Sequence, residues 1–349
     1  MQYRNGRLRR LVENLSAIAY EVAHLCCKCW SSVGSVSAMP NPTPSSTLRP
    51  GARRRHHLSG AAFTVVALAA GLLVGVVGAA PAGASSKQHH GPVTVLTAGS
   101  LETIMKTAVE SGFHKATGYT VTDISGGSTG LAQDIKGGVH KADVFWSAAP
   151  TSDKALMGSA NGNWVKWYVT FAVSPLVLGY EATDKFAATL KSQPWWKVIT
   201  KPGFLVGRTN PVTDPKGRLA VTALKKAATK NNDPTVGAIA TKATTVFTET
   251  SLVGRLQAGQ LDAGFFYAVE ASAAHFPTVP LTGVKEDANY TLTVVSKAPH
   301  PAAADAFVKY LLSKKAKKLL AANGLKELGK PKLSGKKSAV PKSLRKVIK

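Results

Sequence analysis

Three segments of the chain place a hydroxyl or acidic residue directly between a predicted strand and a predicted helix. Ser100 follows the apolar segment 93–97, Ser128 follows 119–124, and Asp214 follows 204–206. In open α/β sheets, ligands bind at the carboxyl ends of the strands, so such junctions converge on one region. Helix N-termini and hydroxyls at that region donate hydrogen bonds to an anion, and the helix dipole adds to the attraction.

The third junction has the most specific local pattern. Asp214 is a favourable N-cap, and Pro215 suits the first helical position because an N–H there would have no partner anyway. We expect the amides of Lys216 and Gly217 to point out of this helix end toward an anion. The alternative is an ordinary capped helix without a ligand.

A cluster of neutral donors without a fixed cation suits a small, fully deprotonated oxyanion. A protonated anion such as hydrogen phosphate also needs an acceptor, and a site made of donors alone rejects it. The alternative is three independent capped helices that share no ligand.

The second junction also fits a hydrolase. Residues 126–130 match G-x-S-x-G, the nucleophile elbow of α/β-hydrolases, and Asp287 and His300 follow Ser128 in the order of a triad. The chain lacks an oxyanion motif of the His-Gly-Gly-Gly type. A secreted serine hydrolase using Ser128 therefore stays the alternative of another class, and we expect no catalytic residue.

The elements that position these junctions alternate between strands and helices. Segments 93–97, 119–124 and 142–146 read as strands with helical segments between them, which predicts an α/β fold with a mostly parallel sheet. The long extended segment 167–180 is a candidate crossover between two lobes. Further strands are expected at 263–267 and 290–296, and Pro301 opens a final helix.

The N-terminal part has the pattern of an export signal. Residues 1–38 look unlike the rest of the chain, and we expect them to be untranslated or a disordered leader, with Met39 as the start. Three arginines at 53–55, the apolar segment 58–80 and small residues at 82–84 predict a signal peptide over 39–84 and a linker over 85–92. Because the apolar segment is long enough to span a bilayer, a membrane anchor is the alternative.

The net charge of +25 is concentrated at the two ends of the chain. Residues 309–349 contain 14 Lys or Arg and a single acid, Glu327. Their Lys-, Gly- and Pro-rich composition predicts a disordered basic tail over 326–349, either solvated or facing a polyanionic envelope or lipid surface. Export argues against a nucleic-acid partner. The three cysteines all precede residue 30, so no disulfide framework is available in the exported part.

The residues at the junctions resemble the solute-binding proteins of tungstate and molybdate ABC transporters. The similarity covers roughly 93–325 and is carried by the segments 97–100, 127–128, 167–172, 210–217 and 261–267. It implies a type II periplasmic-binding-protein fold, with lobe 1 formed by 93–172 and 275–325 and lobe 2 by 173–274. It also implies ligand-binding roles, with the second lobe donating from the loop at Asp214. The implied ligand-binding residues are Ser100, Ser128, Asp214, Lys216, Gly217 and Tyr267.

The resemblance implies a monomeric, non-enzymatic receptor that delivers molybdate or tungstate to a membrane permease, with no cofactor and no metal beyond that of the oxyanion. Sulfate or another tetrahedral oxyanion is the alternative ligand. Some archaeal members place two carboxylates on the metal itself. Asp214 matches the first, whereas the second position falls at or near Phe266, with neither Glu249 nor Glu270 in register. We therefore expect a tetrahedral anion held by hydrogen bonds.

Overall fold

The computed structural model describes residues 91–348, so the predicted leader, the export segment and most of the linker lie outside the described residues. The strands are β1 Pro92–Ala98, β2 Thr120–Gly126, β3 Val144–Ser147, β4 Trp167–Gly179, β5 Val206–Thr209, β6 Val246–Phe247, β7 Ala263–Tyr267, β8 Thr278–Pro280, β9 Asp287–Val294 and β10 Lys326–Gly335.

Helices lie between most of these strands. They are α1 (Glu102–Ile104, the π-helical turn Met105–Val109 and Glu110–Thr117), α2 Ser128–Gly137, α3 Pro150–Lys154, α4 Ala187–Ser192, α5 Trp195–Val198, α6 Pro215–Asn231, α7 Pro234–Ile239, α8 Glu249–Gln257, α9 Ala268–Ala273, α10 Pro301–Leu311 and α11 Lys314–Ala322. None of the helices in residues 91–348 has the length and apolar character needed to cross a membrane.

The strands form a mixed sheet in the order β2-β1-β3-β9-β4-β7-β5-β6, with β8 and β10 also paired to β4. As the alternation of strands and helices predicted, β1 pairs in parallel with both β2 and β3. At the other end of the order, β5 pairs in parallel with β6 and β7. The carboxyl ends of β1, β2 and β5 therefore lead directly into the three junctions.

The 13-residue strand β4 joins the two halves of the sheet. Its first half pairs with β9 and β10, and its second half pairs with β7 and β8. This is the segment that the sequence indicated as a crossover. Pro175 lies within the strand opposite Asp287, and its side chain is exposed.

The core is built from the apolar faces that the sequence pattern indicated. In α1, Ile104, Met105, Val109 and Phe113 are almost completely buried on one side of the helix. Phe113 meets Phe307 of α10 edge to face, with ring centroids 5.1 Å apart. This contact packs the final helix against the first one.

The C-terminal segment differs from the expected disordered tail. Residues 326–335 form β10, which pairs antiparallel with the first half of β4. Leu325, Val340, Leu344 and Ile348 are each at most 5% exposed. The prediction of disorder for 326–348 is therefore wrong, because it rested on composition, whereas a few well-spaced apolar side chains and one strand pairing are enough to hold the segment on the core.

Candidate functional site

The second and third junctions are in direct contact. The amide of Gly130 donates to the carbonyl of Thr213 at 2.9 Å, and Arg218 Nη1 donates to Thr129 Oγ1 at 2.9 Å. A Cβ at Gly127 would lie 2.6 Å from the Thr213 oxygen, so only glycine allows this approach. The loop 210–214 therefore closes onto the turn between β2 and α2.

Asp214 caps α6 as predicted, and the cap changes the role expected for the amide of Lys216. Asp214 Oδ1 accepts the amide of Lys216 at 2.9 Å, so that amide is committed to the cap. The other oxygen, Oδ2, is buried and has no hydrogen-bond partner within residues 91–348. At Gly217 a Cβ would meet the carbonyl of Thr209 at 2.4 Å, so the glycine lets the helix start pack on the end of β5.

Both serines are buried, and both hydroxyls are already engaged. Ser100 lies in the 3-10 turn after β1, and its Oγ is 3.0 Å from the hydroxyl of Tyr290. Ser128 is the first residue of α2, where Gly127 takes the cap position. Its Oγ accepts the amide of Ala148 at 3.0 Å. The Ser128 oxygen only accepts in this contact, so its O–H can still donate to a ligand.

A fourth strand-to-helix junction supplies Glu249, which the sequence reasoning set aside. Thr248 caps α8 through its side chain, and Glu249 is the first helical residue after β6. Glu249 is 6% exposed, and a Cβ at Gly99 would lie 2.7 Å from its Oε2. The side chain thus reaches the turn that carries Ser100. The pattern Val-Phe-Thr-Glu was the available signal, since it combines a short apolar pair, a capping threonine and an acid in the first turn.

The expected second carboxylate position, Phe266, has another role. Its side chain is fully buried, and its ring packs on Phe276 with centroids 5.4 Å apart. Glu249, not a residue near 266 in the chain, is the acid that shares a cavity with Asp214. The resemblance placed neither glutamate in register with the second carboxylate, and the structure adds that Glu249 lines the cavity.

A buried lysine connects the acidic side chains. Lys216 Nζ is fully buried and lies 2.7 and 2.6 Å from the two carboxylate oxygens of Glu270. The same nitrogen lies 3.2 Å from Glu249 Oε1. It also lies 5.4 Å from the ring centroid of Phe266, which adds a cation–π contact. One ammonium group therefore offsets part of the charge of three neighbouring acids, Asp214, Glu249 and Glu270.

The electrostatics of this cluster follow from its burial. Burial raises the pKa of Glu249 well above its ordinary value, the Asp214 carboxylate raises it further, and Lys216 lowers it. Burial also raises the pKa of Glu270, although Lys216 opposes the shift. For Lys216, burial alone would lower the pKa, but the three acids outweigh burial and raise it, so the ammonium stays charged.

Two tyrosines complete the surroundings. The rings of Tyr267 and Tyr290 meet edge to face with centroids 6.1 Å apart, and both side chains are fully buried. Burial raises the pKa of both phenols well above the ordinary value, so both remain neutral donors. The hydroxyl of Tyr267 has no hydrogen-bond partner among the described residues. An unpaired buried hydroxyl is costly and points to a group that it would bind.

A cavity of about 440 Å³ lies where these junctions meet. Its lining comes from the turn after β2, the loop 210–214 and the start of α8. At its wall, Thr209 Oγ1 and Asp214 Oδ2 are buried polar atoms that have no hydrogen-bond partner in the described part of the chain. Ser100, Ser128 and Tyr267 lie outside its lining. Contacts through Glu249 and Tyr290 connect Ser100 to the same region. The lining residues are Ser125, Gly126, Gly127, Thr209, Asn210, Thr213, Asp214, Val246, Phe247, Thr248, Glu249 and Thr250.

The contacts give no support to the hydrolase alternative. His300 Nδ1 lies 2.9 Å from Asp143 Oδ2, and the His300 amide donates to the same carboxylate. Asp287 lies at the start of β9, opposite Pro175. Since the Ser128 hydroxyl faces the Ala148 amide, the three residues do not form a nucleophile with an oriented base.

Within residues 91–348, no group of three or more His, Cys, Asp or Glu side chains is placed to hold a metal ion.

Comparisons with known proteins show the family of this chain. The family described as "Bacterial extracellular solute-binding protein" matches residues 93–326. An ABC transporter protein of Haloferax volcanii named for molybdenum binding is 28% identical over 204 residues, 58% of this chain and 64% of its own length. The molybdate/tungstate-binding protein of Pyrococcus abyssi is 24% identical over 294 residues, covering 68% of this chain and 84% of that protein. The chain thus spans slightly less than two thirds of the first relative and most of the second.

Solved structures share the fold. The periplasmic molybdate-binding protein of Azotobacter vinelandii superimposes with a TM-score of 0.54 at 22% identity, covering 67% of this chain and 98% of that one. The sulfate-binding protein SubI of Mycobacterium tuberculosis gives a TM-score of 0.53 at 19% identity, covering 68% of this chain and 88% of that one. The predicted periplasmic-binding-protein fold is confirmed.

Proposed function

Because this chain belongs to the bacterial extracellular solute-binding protein family, we propose that it is the exported receptor of an ABC importer for molybdate or tungstate. It binds one oxyanion in the cavity lined by the turn after β2, the loop 210–214 and the start of α8. It then delivers that oxyanion to a membrane permease. The names of its relatives in Haloferax and Pyrococcus support the choice of ligand.

The observation that carries this proposal is the pairing of Asp214 and Glu249 at one cavity, next to neutral donors. Serine and tyrosine hydroxyls bind the oxygens of an anion, whereas carboxylates repel them. Two buried carboxyl groups at an oxyanion site therefore favour a ligand whose central atom can bond to a carboxylate oxygen. Molybdenum(VI) and tungsten(VI) accept further oxygen ligands, which the sulfur of sulfate does not.

The same pair predicts how the site selects among anions. A carboxylate beside sulfate has only repulsion to contribute, so sulfate binds weakly. Hydrogen phosphate donates one proton to a carboxylate, but its phosphorus accepts no further ligand. Molybdate and tungstate gain two metal–oxygen bonds from Asp214 and Glu249 in addition to the hydrogen bonds from the hydroxyls. The buried Lys216 lowers the electrostatic cost of bringing these charges together.

Titration calorimetry with molybdate, tungstate, sulfate and phosphate tests the proposal. We expect saturable binding of one molybdate or tungstate per chain, with much weaker heats from the other two anions. If none of the four anions gave a heat of binding, the assignment as an oxyanion receptor would be wrong. Preferential binding of phosphate would instead make the carboxyl groups proton acceptors and would contradict the choice of ligand.

X-ray absorption spectroscopy of the bound metal separates carboxylate ligation from hydrogen bonding alone. We expect six oxygen neighbours in the wild-type complex and fewer in Glu249→Gln. The matched control is Glu181→Gln, which removes a half-buried acid in the loop after β4 and leaves the count unchanged. Four neighbours in all three proteins would show a tetrahedral anion held by hydrogen bonds, which is what the departure from the family pattern at Phe266 led us to expect.

A further inference from the structure

The positive charge of the described chain is concentrated in its last 40 residues. Residues 91–308 contain 20 Lys or Arg and 16 Asp or Glu. Residues 309–348 contain 13 Lys or Arg and only one acid, Glu327. Most of the excess positive charge therefore comes from a segment that the structure shows folded onto the core rather than extended into solvent.

The folded segment holds its lysines in fixed places. Between α11 and β10 lies an open groove of about 680 Å³, lined by Lys314, Lys317, Lys318 and Lys326 together with Glu327. Lys317 Nζ pairs with Glu327 at 3.3 Å and donates to the carbonyl of Gly329 at 3.2 Å. The single acid is thus occupied by one lysine, and the other three lysines of the groove are exposed.

A second group of lysines lies at the other end of β10. The amide of Lys336 donates to the carbonyl of Lys166 at 2.8 Å, and both side chains line a cavity with Ser338. Lys166 also lines a neighbouring cavity together with Lys297. Lysines that are distant in the sequence are therefore brought next to those of the C-terminal segment.

Protection of an exposed sheet edge explains only part of this pattern. Within the sheet described for residues 91–348, β10 pairs only with β4, and lysines and prolines on such edges prevent pairing with other chains. Lys330, Pro331 and Lys332 fit that role. The lysines of α11 and those beyond Gly335 are not on the strand, and their mutual repulsion destabilises the folded segment unless an anionic partner offsets it.

We propose that the surface formed by α11, β10 and residues 336–346, here called the basic face, adsorbs the protein to an anionic phospholipid bilayer. This inference goes beyond oxyanion binding. The choice of lipid over nucleic acid depends on the proposed export. A receptor that serves a membrane permease gains from being held at the membrane, because adsorption raises its local concentration there.

Electrostatic attraction to the lipid surface sets how much each lysine should contribute to vesicle binding. Each lysine at an anionic surface contributes about fivefold to the partition coefficient, so three lysines contribute about 100-fold. The attraction acts within a Debye length, about 8 Å at physiological ionic strength. Adsorption is therefore lost in high salt and on zwitterionic lipid.

Vesicle co-sedimentation of the full chain tests the proposal with phosphatidylglycerol-containing and pure phosphatidylcholine vesicles. The test variant is Lys314→Gln/Lys318→Gln/Lys326→Gln. Its matched control is Lys191→Gln/Lys197→Gln/Lys225→Gln, which removes the same charge from exposed positions on α4, α5 and α6. All proteins carry the same basic N-terminal segment, so its contribution is equal in the two triple variants and cancels when they are compared. The phosphatidylcholine arm measures only binding that does not depend on lipid charge.

We expect the anionic vesicles to bind the wild type and the control alike, and the test variant about 100-fold more weakly. Equal losses in both triple variants would mean that only net charge matters, and no preference for phosphatidylglycerol would exclude electrostatic adsorption. Either result overturns the proposal, as does salt-sensitive binding of duplex DNA without binding of the anionic vesicles. Calorimetry with molybdate on the test variant is a separate readout, so failure of oxyanion binding and failure of lipid adsorption are distinguished.

Discussion

The ammonium of Lys216 lies 2.7 and 2.6 Å from the two carboxylate oxygens of Glu270, although the residues are 54 positions apart in the chain. The lysine side chain is fully buried, and the glutamate side chain is 7% exposed. The contact joins the start of α6 to α9, and the same ammonium lies 3.2 Å from Glu249, which lines the cavity together with Asp214. It places a compensated positive charge next to a carboxyl group of the cavity wall.

Removing either partner of the Lys216–Glu270 pair should lower the free energy of unfolding, and the loss should be larger when the lysine is removed. Lys216→Met leaves three buried acids without a cation, and we expect a loss of about 3–5 kcal/mol in the free energy of unfolding. Glu270→Gln should cost less, because Lys216 keeps Glu249 at 3.2 Å. Urea denaturation of both variants and of the double variant measures the difference. Equal and additive losses would show that the pair is not coupled.

Tyr267→Phe should affect stability and affinity in opposite directions. Removal of a buried hydroxyl without a partner leaves the unliganded protein as stable as before or stabilises it by about 1 kcal/mol. The same change removes the hydroxyl that we propose as a donor to the oxyanion, and it should weaken molybdate binding about tenfold. Tyr290→Phe is the control, because its hydroxyl already pairs with Ser100 and its loss should reduce stability. Unchanged molybdate affinity in Tyr267→Phe would remove Tyr267 from the site.

Gly127→Ala should keep the loop 210–214 away from the turn between β2 and α2. The added Cβ would lie 2.6 Å from the Thr213 carbonyl, so the loop 210–214 cannot close on α2 without moving. We expect weaker molybdate binding and a larger radius of gyration by small-angle scattering in the presence of ligand. Gly137→Ala is the matched control, since its Cβ would meet nothing closer than 3.8 Å. Identical scattering from both variants would argue against closure by this contact.

Asp153 should make stability depend on pH. Burial raises the pKa of its carboxyl from 3.8 to about 7, although Thr291 and Ser147 donate to it. Because the folded state holds the proton more tightly than the unfolded chain, the contribution of Asp153 to the free energy of unfolding is highest below about pH 4. It should fall by up to about 4 kcal/mol as the pH rises to about 7, and then level off.

Urea denaturation between pH 4 and pH 8 measures this slope. Asp153→Asn cannot titrate, so its stability should change less with pH than that of the wild type. Asp134→Asn, a half-buried position on α2, should keep the wild-type slope. Parallel pH profiles for all three proteins would contradict the assignment to Asp153.

The elements that the sequence predicted correctly are those with strong local signals. The Asp214–Pro215 cap is where the pattern placed it, because capping depends on neighbouring residues alone. The strand β5 lies slightly later than expected, at Val206–Thr209, since Arg208 is buried by contacts to the carbonyls of Ala240 and Lys242 that a local pattern does not contain.

The site was predicted in outline and revised in detail. The junctions at Ser128 and Asp214 meet as expected, but the amide of Lys216 serves the cap and its side chain serves Glu270 and Glu249. The comparison with the family's two metal-binding carboxylates matched Asp214 to the first and found no acid at the second position, near Phe266. Glu249 reaches the cavity because β6 pairs with β5, a parallel pairing between segments almost forty residues apart.

The sequence alone determined the order of strands and helices, the cap at Asp214 and the small residues that permit close turns, because these depend on interactions between near neighbours. The tertiary structure decided which charges face one another and which lysines share a surface. Lys216, Glu249 and Glu270 have no local relation, and neither have Lys166 and Lys336. The free energy of a buried or clustered charge depends on distances of a few ångströms, and those distances exist only once the sheet and its helices have packed.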